Sequence, residues 1–95
     1  MITTKQRATL RGHANKLEVI LHIGKSGVTP TVIVQAKDAL VAREMIKGKV
    51  QDNAMLSAQE VANELAESTG AEIVQVIGSK FVLYKKNPKN PVYEI

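Results

Sequence analysis

The sequence predicts one compact α/β domain of order α-β-α-β-α-β-β, with its helices packed on a four-stranded mixed sheet. Three features of the chain support this. Apolar runs of five or six residues alternate with capped segments of helical period. The last two strand-like runs form a hairpin, which brings antiparallel pairing to a sheet otherwise built by crossovers. The length of 95 residues suits a single core. Order is expected over residues 3–87, followed by an irregular tail, 88–95, that holds Pro88 and Pro91.

The first helix opens on Thr3, and Gln6 three places on completes a capping box. Leu10, Ala14 and Leu17 recur at i, i+4 and i+7 as its core face, and Gly12 weakens it by up to about 1 kcal/mol relative to Ala without ending it. Arg7 and Arg11, four apart, share another face, with Lys5 and Lys16 near its ends. Val19-Ile20-Leu21-His22-Ile23 reads as a strand, and a bend at Gly24-Lys25-Ser26-Gly27 leads to a second helix from Pro30 to about Ala42. Thr29 caps that helix, Pro30 occupies the first position, where a missing N–H costs nothing, and Val28 with Ile33 makes a hydrophobic staple. Ile33, Ala36 and Leu40 form its core stripe, which Val32, Val34 and Val41 are expected to widen.

The strand Met45–Val50 alternates with period two, so Ile46 and Val50 face the core while Lys47 and Lys49 form a basic face. Ser57 and Glu60 make a second capping box, stapled by Leu56 and Val61, for a helix whose core face is Ala58, Val61, Ala62 and Leu65 and whose C′ residue is Gly70. Strands at Glu72–Ile77 and Phe81–Lys85, joined by Gly78-Ser79-Lys80, complete the fold.

Charge is distributed unevenly. The net +4 divides into +6 over residues 1–49, −5 over 50–79 and +3 over 80–95. A molecule divided in this way can be basic on one side and acidic on the other, which suits a polyanionic partner. The chain has no cysteine, so a disulfide framework is excluded and His13 and His22 lack the partners of a zinc finger or ribbon. No apolar stretch approaches the ~20 residues of a membrane span, and a soluble cytoplasmic monomer is expected, with no metal and no cofactor.

The bend at Gly24-Lys25-Ser26-Gly27 carries the chemistry. Its glycines let another backbone come close, the helix at Pro30 supplies free N–H groups and a positive dipole end, and Lys25 adds a full charge. Such a corner fits a phosphate. It is not a Walker A loop, because Val19 stands where that motif needs glycine. Nucleophilic catalysis by Ser26 with His22 lacks an orienting acid, so no enzyme activity is expected. Glu60, Glu64 and Glu67, at i, i+4 and i+7, make an acidic helical face that would instead suit a basic protein partner.

Ile23-Gly24-Lys25-Ser26-Gly27-Val28-Thr29, Arg43-Glu44 leading into Met45–Val50, and Val76-Ile77-Gly78 leading to Val82-Leu83-Tyr84-Lys85-Lys86-Asn87 occur in that order. Together they resemble the CRM domain, and at this length the chain looks most like the YhbY-type ribosome-associated proteins. The resemblance covers residues 3–87. It implies a fold similar to the C-terminal domain of translation initiation factor three, binding to ribosomal RNA in precursors of the large subunit, and no catalysis. It also implies that Gly24, Lys25, Ser26 and Gly27 contact RNA. Arg7, Arg11, Lys47, Lys49, Lys85 and Lys86 are expected to extend that track. The stretch from Arg11 to Glu18 is more polar than the usual alanine-rich, proline-containing version. With only Phe81, Tyr84 and Tyr93 aromatic and no RNP-like pair, base stacking on the sheet is not expected.

Overall fold

All seven predicted elements form, in the predicted order. The computed structural model describes residues 2–87, 89, 92 and 93, and contains α1 (Thr4–Ala14), β1 (Val19–Ile23), α2 (Pro30–Arg43), β2 (Met45–Val50), α3 (Ala58–Thr69), β3 (Glu72–Ile77) and β4 (Lys80–Tyr84). Both capping boxes are present, Thr3 with Gln6 and Ser57 with Glu60. The Thr29 hydroxyl accepts from the Val32 amide at 3.2 Å, and Gly70 ends α3 in the left-handed region at φ 77°.

The sheet order is β1-β2-β4-β3, with β1 parallel to β2 and β4 antiparallel to both of its neighbours. Both crossovers, through α2 and then α3, move the same way across this sheet, so right-handed connection puts both helices on one face. The core shows this. Ala36 and Leu40 of α2 and Ala58, Val61, Ala62 and Leu65 of α3 cluster with Leu21, Ile23, Ile46, Val50, Phe81 and Leu83 of the sheet. A second cluster on the other face joins Leu10 and Ala14 of α1 to Met45, Val74, Val82 and Tyr84.

That second face has one helix to cover it. An eleven-residue α-helix is about 16 Å long and 10 Å across, whereas four strands of this length present a face about 19 Å by 17 Å. Ile2, Leu17 and Tyr93 pack beside α1, and the part of the face that carries His22, Ile77 and Lys80 stays open. Gly48 serves the buried side: a Cβ built there would lie 2.3 Å from the Phe81 ring, so the ring seats directly on the strand backbone.

Two apolar expectations change. Helix α1 ends at Ala14, and Leu17 lies in the following turn, half-buried against the second cluster instead of on a helical stripe. The Leu17 amide donates to the Ala14 carbonyl, so the chain leaves the helix before a further turn forms. Val34 and Val41 do not widen the core face of α2, being 56% and 71% exposed. Seven residues apart, they lie on the side of α2 away from the sheet. Smaller differences affect β4, which runs Lys80–Tyr84 and not Phe81–Lys85, and α2, which extends to Arg43.

Glu44 ties down the end of the chain. It follows α2 at φ 67°, is fully buried, and accepts the backbone amides of Asn87 at 2.8 Å and Tyr93 at 2.9 Å on its two carboxylate oxygens. Its own carbonyl accepts from the Lys85 amide. The pKa of the nearby Tyr84 phenol is raised above its usual value, first by burial and then by the Glu44 charge, and its buried hydroxyl has no hydrogen-bond partner among the described residues. Of the expected irregular tail, Pro88, Asn90, Pro91, Glu94 and Ile95 lie outside the described residues, while Lys89, Val92 and Tyr93 are in neither helix nor strand.

Candidate nucleic-acid interface

The parallel pairing of β1 with β2 brings the ends of both strands to one edge of the molecule. There the Gln51 amide donates to the Ile23 carbonyl at 2.8 Å, and the Val50 amide donates to the Ser79 carbonyl at 2.8 Å. The turn at residues 24–27, the connection after β2 and the tip of the β3–β4 hairpin thus gather at the same end of the sheet.

The turn itself is closed by one bond, from the Gly27 amide to the Gly24 carbonyl at 3.0 Å. Its two glycines do different work. Gly27 sits at φ 70°, a conformation that side chains rarely adopt, and its missing Cβ would touch Leu56. Gly24 is not in that region, and a Cβ built on it meets nothing within 4 Å, so its bareness serves no internal packing. Lys25 and Ser26 are exposed. Among the described residues, their amides meet no intramolecular acceptor. These two donors, one ammonium and the start of α2 all lie at one corner, the arrangement that receives a phosphate oxygen.

From this corner the open part of the sheet continues. In the register of the pairings, His22 stands beside Lys49, and Lys47 follows one pleat on. Lys80, Gln75 and Ile77 extend the same face across β4 and β3, and Asn15 at the end of α1 borders it beside Lys47. Lys47 and Lys49 are half-buried at their stems, which lets the aliphatic chains pack while the ammonium groups reach water. One acid, Asp52, is exposed in the connection after β2.

The remaining expected cations are placed elsewhere. The Arg7 Nε donates to the Ile73 carbonyl at 3.1 Å, tying α1 to β3, and Arg11 is exposed one turn further along the helix. Lys85 and Lys86 lie at the opposite end of the sheet, about 17 Å from the turn along a six-residue strand. The Lys85 ammonium donates to the Thr69 carbonyl at 2.8 Å, where it satisfies the end of α3. The structure therefore brings Lys47 and Lys49 towards the turn and leaves Lys85 and Lys86 away from it. Glu60, in the first turn of α3 just past the Leu56 that Gly27 approaches, accepts the Ser57 amide as part of its cap.

Sequence reasoning did not assign His22 or Lys80 to this surface. The His22 ring is held by the Gln51 side chain, whose amide nitrogen lies 3.1 Å from Nδ1. Its signal was available: it is the one polar residue in an apolar strand. Lys80, which the sequence places in the Gly78-Ser79-Lys80 connection, is the first residue of β4.

Among the described residues, no helix is long and apolar enough to cross a membrane. The family model for the CRS1 / YhbY (CRM) domain matches residues 2–85. The chain is 39% identical over 95 residues to the Bacillus subtilis protein named "Probable RNA-binding protein YqeI", covering 100% of this chain and 99% of that one. It is 34% identical over 84 residues to a Haemophilus influenzae protein named "RNA-binding protein", covering 88% of this chain and 85% of the relative. Its fold matches the solution structure of SAV1595 from Staphylococcus aureus with a TM-score of 0.84 and 40% identity, over 100% of this chain and 99% of that one.

Proposed function

The chain belongs to the CRS1 / YhbY (CRM) domain family, and from that premise we propose that it binds ribosomal RNA in large-subunit precursors and assists ribosome assembly, as a cytoplasmic monomer without catalysis. The names of the relatives support RNA as the partner. The ribosomal part of the reading rests on the resemblance to YhbY-type proteins. The observation that carries the mechanism is the pair of exposed amides at Lys25 and Ser26, which meet no intramolecular acceptor among the described residues, on a turn whose first glycine has no packing role.

In this reading the turn clamps phosphates of an unpaired RNA segment, and Lys25, Lys47 and Lys49 continue the path across the open sheet. Contacts of this kind hold the backbone and fix its register without reading sequence. About four to six neutralised phosphates give a slope of roughly −3 to −4 for log K against log salt. Lys85 is left out, because its ammonium is already bound to α3.

Charge reversal tests the reading. Lys25→Glu with Lys47→Glu and Lys49→Glu is expected to abolish binding to a naked ribosomal RNA fragment in an anisotropy titration. Glu64→Gln with Glu67→Gln on α3 is expected to leave that binding in place. The opposite pattern would favour a protein-binding adaptor on the assembling ribosome that meets basic ribosomal proteins through the acidic third helix.

A further inference from the structure

Residue 22 lies where an apolar strand would be expected to carry another aliphatic side chain. Its neighbours Leu21 and Ile23 are buried, whereas His22 is exposed on the open face, beyond the reach of α1. The ring is nonetheless held in place. The Gln51 amide nitrogen is 3.1 Å from Nδ1, and Gln51 is itself anchored by its backbone N–H to the Ile23 carbonyl at 2.8 Å. This contact orients the imidazole before any ligand arrives. A flat π surface oriented in advance loses little entropy when something rests on it.

Its position relative to the turn sets what that is. Two residues of extended strand, about 6.6 Å, separate His22 from Gly24, roughly the length of one nucleotide in an open chain. Lys49 is its Cα partner on β2, so a cation stands beside the ring. The other aromatic rings are occupied elsewhere: Phe81 and Tyr84 are buried, and Tyr93 packs on His13 with ring centroids 5.4 Å apart.

We propose that His22 is a base-stacking platform, on which a nucleobase of the strand clamped at Gly24–Gly27 lies, with Gln51 as the positioning residue that holds the ring. This rests on the RNA-clamp reading and gives that clamp a preference for unpaired, unstacked nucleotides. It also departs from the expectation that the sheet offers no stacking surface, since histidine supplies one where Phe and Tyr do not.

The test uses the full chain in anisotropy titrations against two probes of equal length, a short oligoadenylate and an abasic ribose-phosphate chain. His22→Ala is expected to lower the ratio of adenylate to abasic affinity about fivefold or more. His22→Phe is expected to restore it, and Gln51→Ala to lower it by less. Gly24→Ala, which acts on the phosphate path, is expected to weaken both probes together. A His22→Ala protein with an unchanged ratio overturns the stacking proposal, and loss of affinity by Gly24→Ala in the same experiment shows that the clamp stands without it. Failure of His22→Phe to restore the ratio also overturns it, by assigning the ring's role to its N–H. If Gly24→Ala leaves both probes bound at full affinity, the clamp reading and the stacking platform fail together.

Discussion

Replacing Gly24 with Ala adds one methyl group at the mouth of the turn, and the structure separates its effect on folding from its effect on binding. A Cβ at this position meets no heavy atom within 4 Å, and Gly24 is not among the glycines at positive φ. Folding stability should therefore hold or rise by about 0.4–1 kcal/mol, because alanine narrows the unfolded ensemble. On the proposed clamp, binding should suffer, since the methyl would stand between a phosphate and the amides of Lys25 and Ser26. Losing one hydrogen bond to a charged group costs about 1.5–3 kcal/mol, or roughly 10- to 150-fold in Kd. Gly24→Val should exceed Gly24→Ala. Gly27→Ala is the unsuitable probe, because φ 70° makes a side chain there cost about 1–2 kcal/mol in the fold itself. The assay is an anisotropy titration with a labelled ribosomal RNA fragment, run beside a thermal melt of each variant. Wild-type affinity in both Gly24 variants, at wild-type stability, would refute the close-approach argument.

Three further outcomes follow from the packing. Gly48→Ala drives a methyl into the Phe81 ring, where the gap is 2.3 Å, and should cost about 1–3 kcal/mol or more by denaturant unfolding; a variant as stable as wild type would contradict the seating of the ring. Glu44→Gln leaves one carboxamide oxygen for two backbone donors, Asn87 and Tyr93, and should lower stability by about 1–3 kcal/mol with RNA affinity largely kept; an unchanged melting temperature would remove the staple. Tyr84 is raised above 10.0 by burial and then by Glu44, so the unfolded chain loses this proton first, and the stability it contributes is intact below about pH 10 and falls as pH rises further. Tyr84→Phe should flatten that alkaline loss, as seen in denaturant midpoints across the range, and an identical pH profile in the two proteins would exclude Tyr84 as its source.

The local signals in the chain were strong wherever chemistry is settled within a few residues. Thr3 with Gln6, Ser57 with Glu60, Thr29 before Pro30, and Gly70 mark helix ends because a side chain three places away, or a left-handed glycine, satisfies the orphan backbone groups. The alternation in Met45–Val50 likewise separated Lys47 and Lys49 from Ile46 and Val50, since the pleat repeats every second residue. Gly24-Lys25-Ser26-Gly27 was legible as a tight bend before a helix for the same reason.

What the chain could not state was which face each surface residue would share. A sheet order of β1-β2-β4-β3 sends both crossover helices to one side, and α1 alone is too short to cover the other. That geometry exposes Val34 and Val41, opens the part of the sheet where His22 meets Gln51 and Lys49, and sends Lys85 and Lys86 to the far end. Caps and pleats are fixed by covalent neighbours. The basic surface is made of residues brought together by hydrogen-bonded strands far apart in sequence, and only the assembled sheet decides their company.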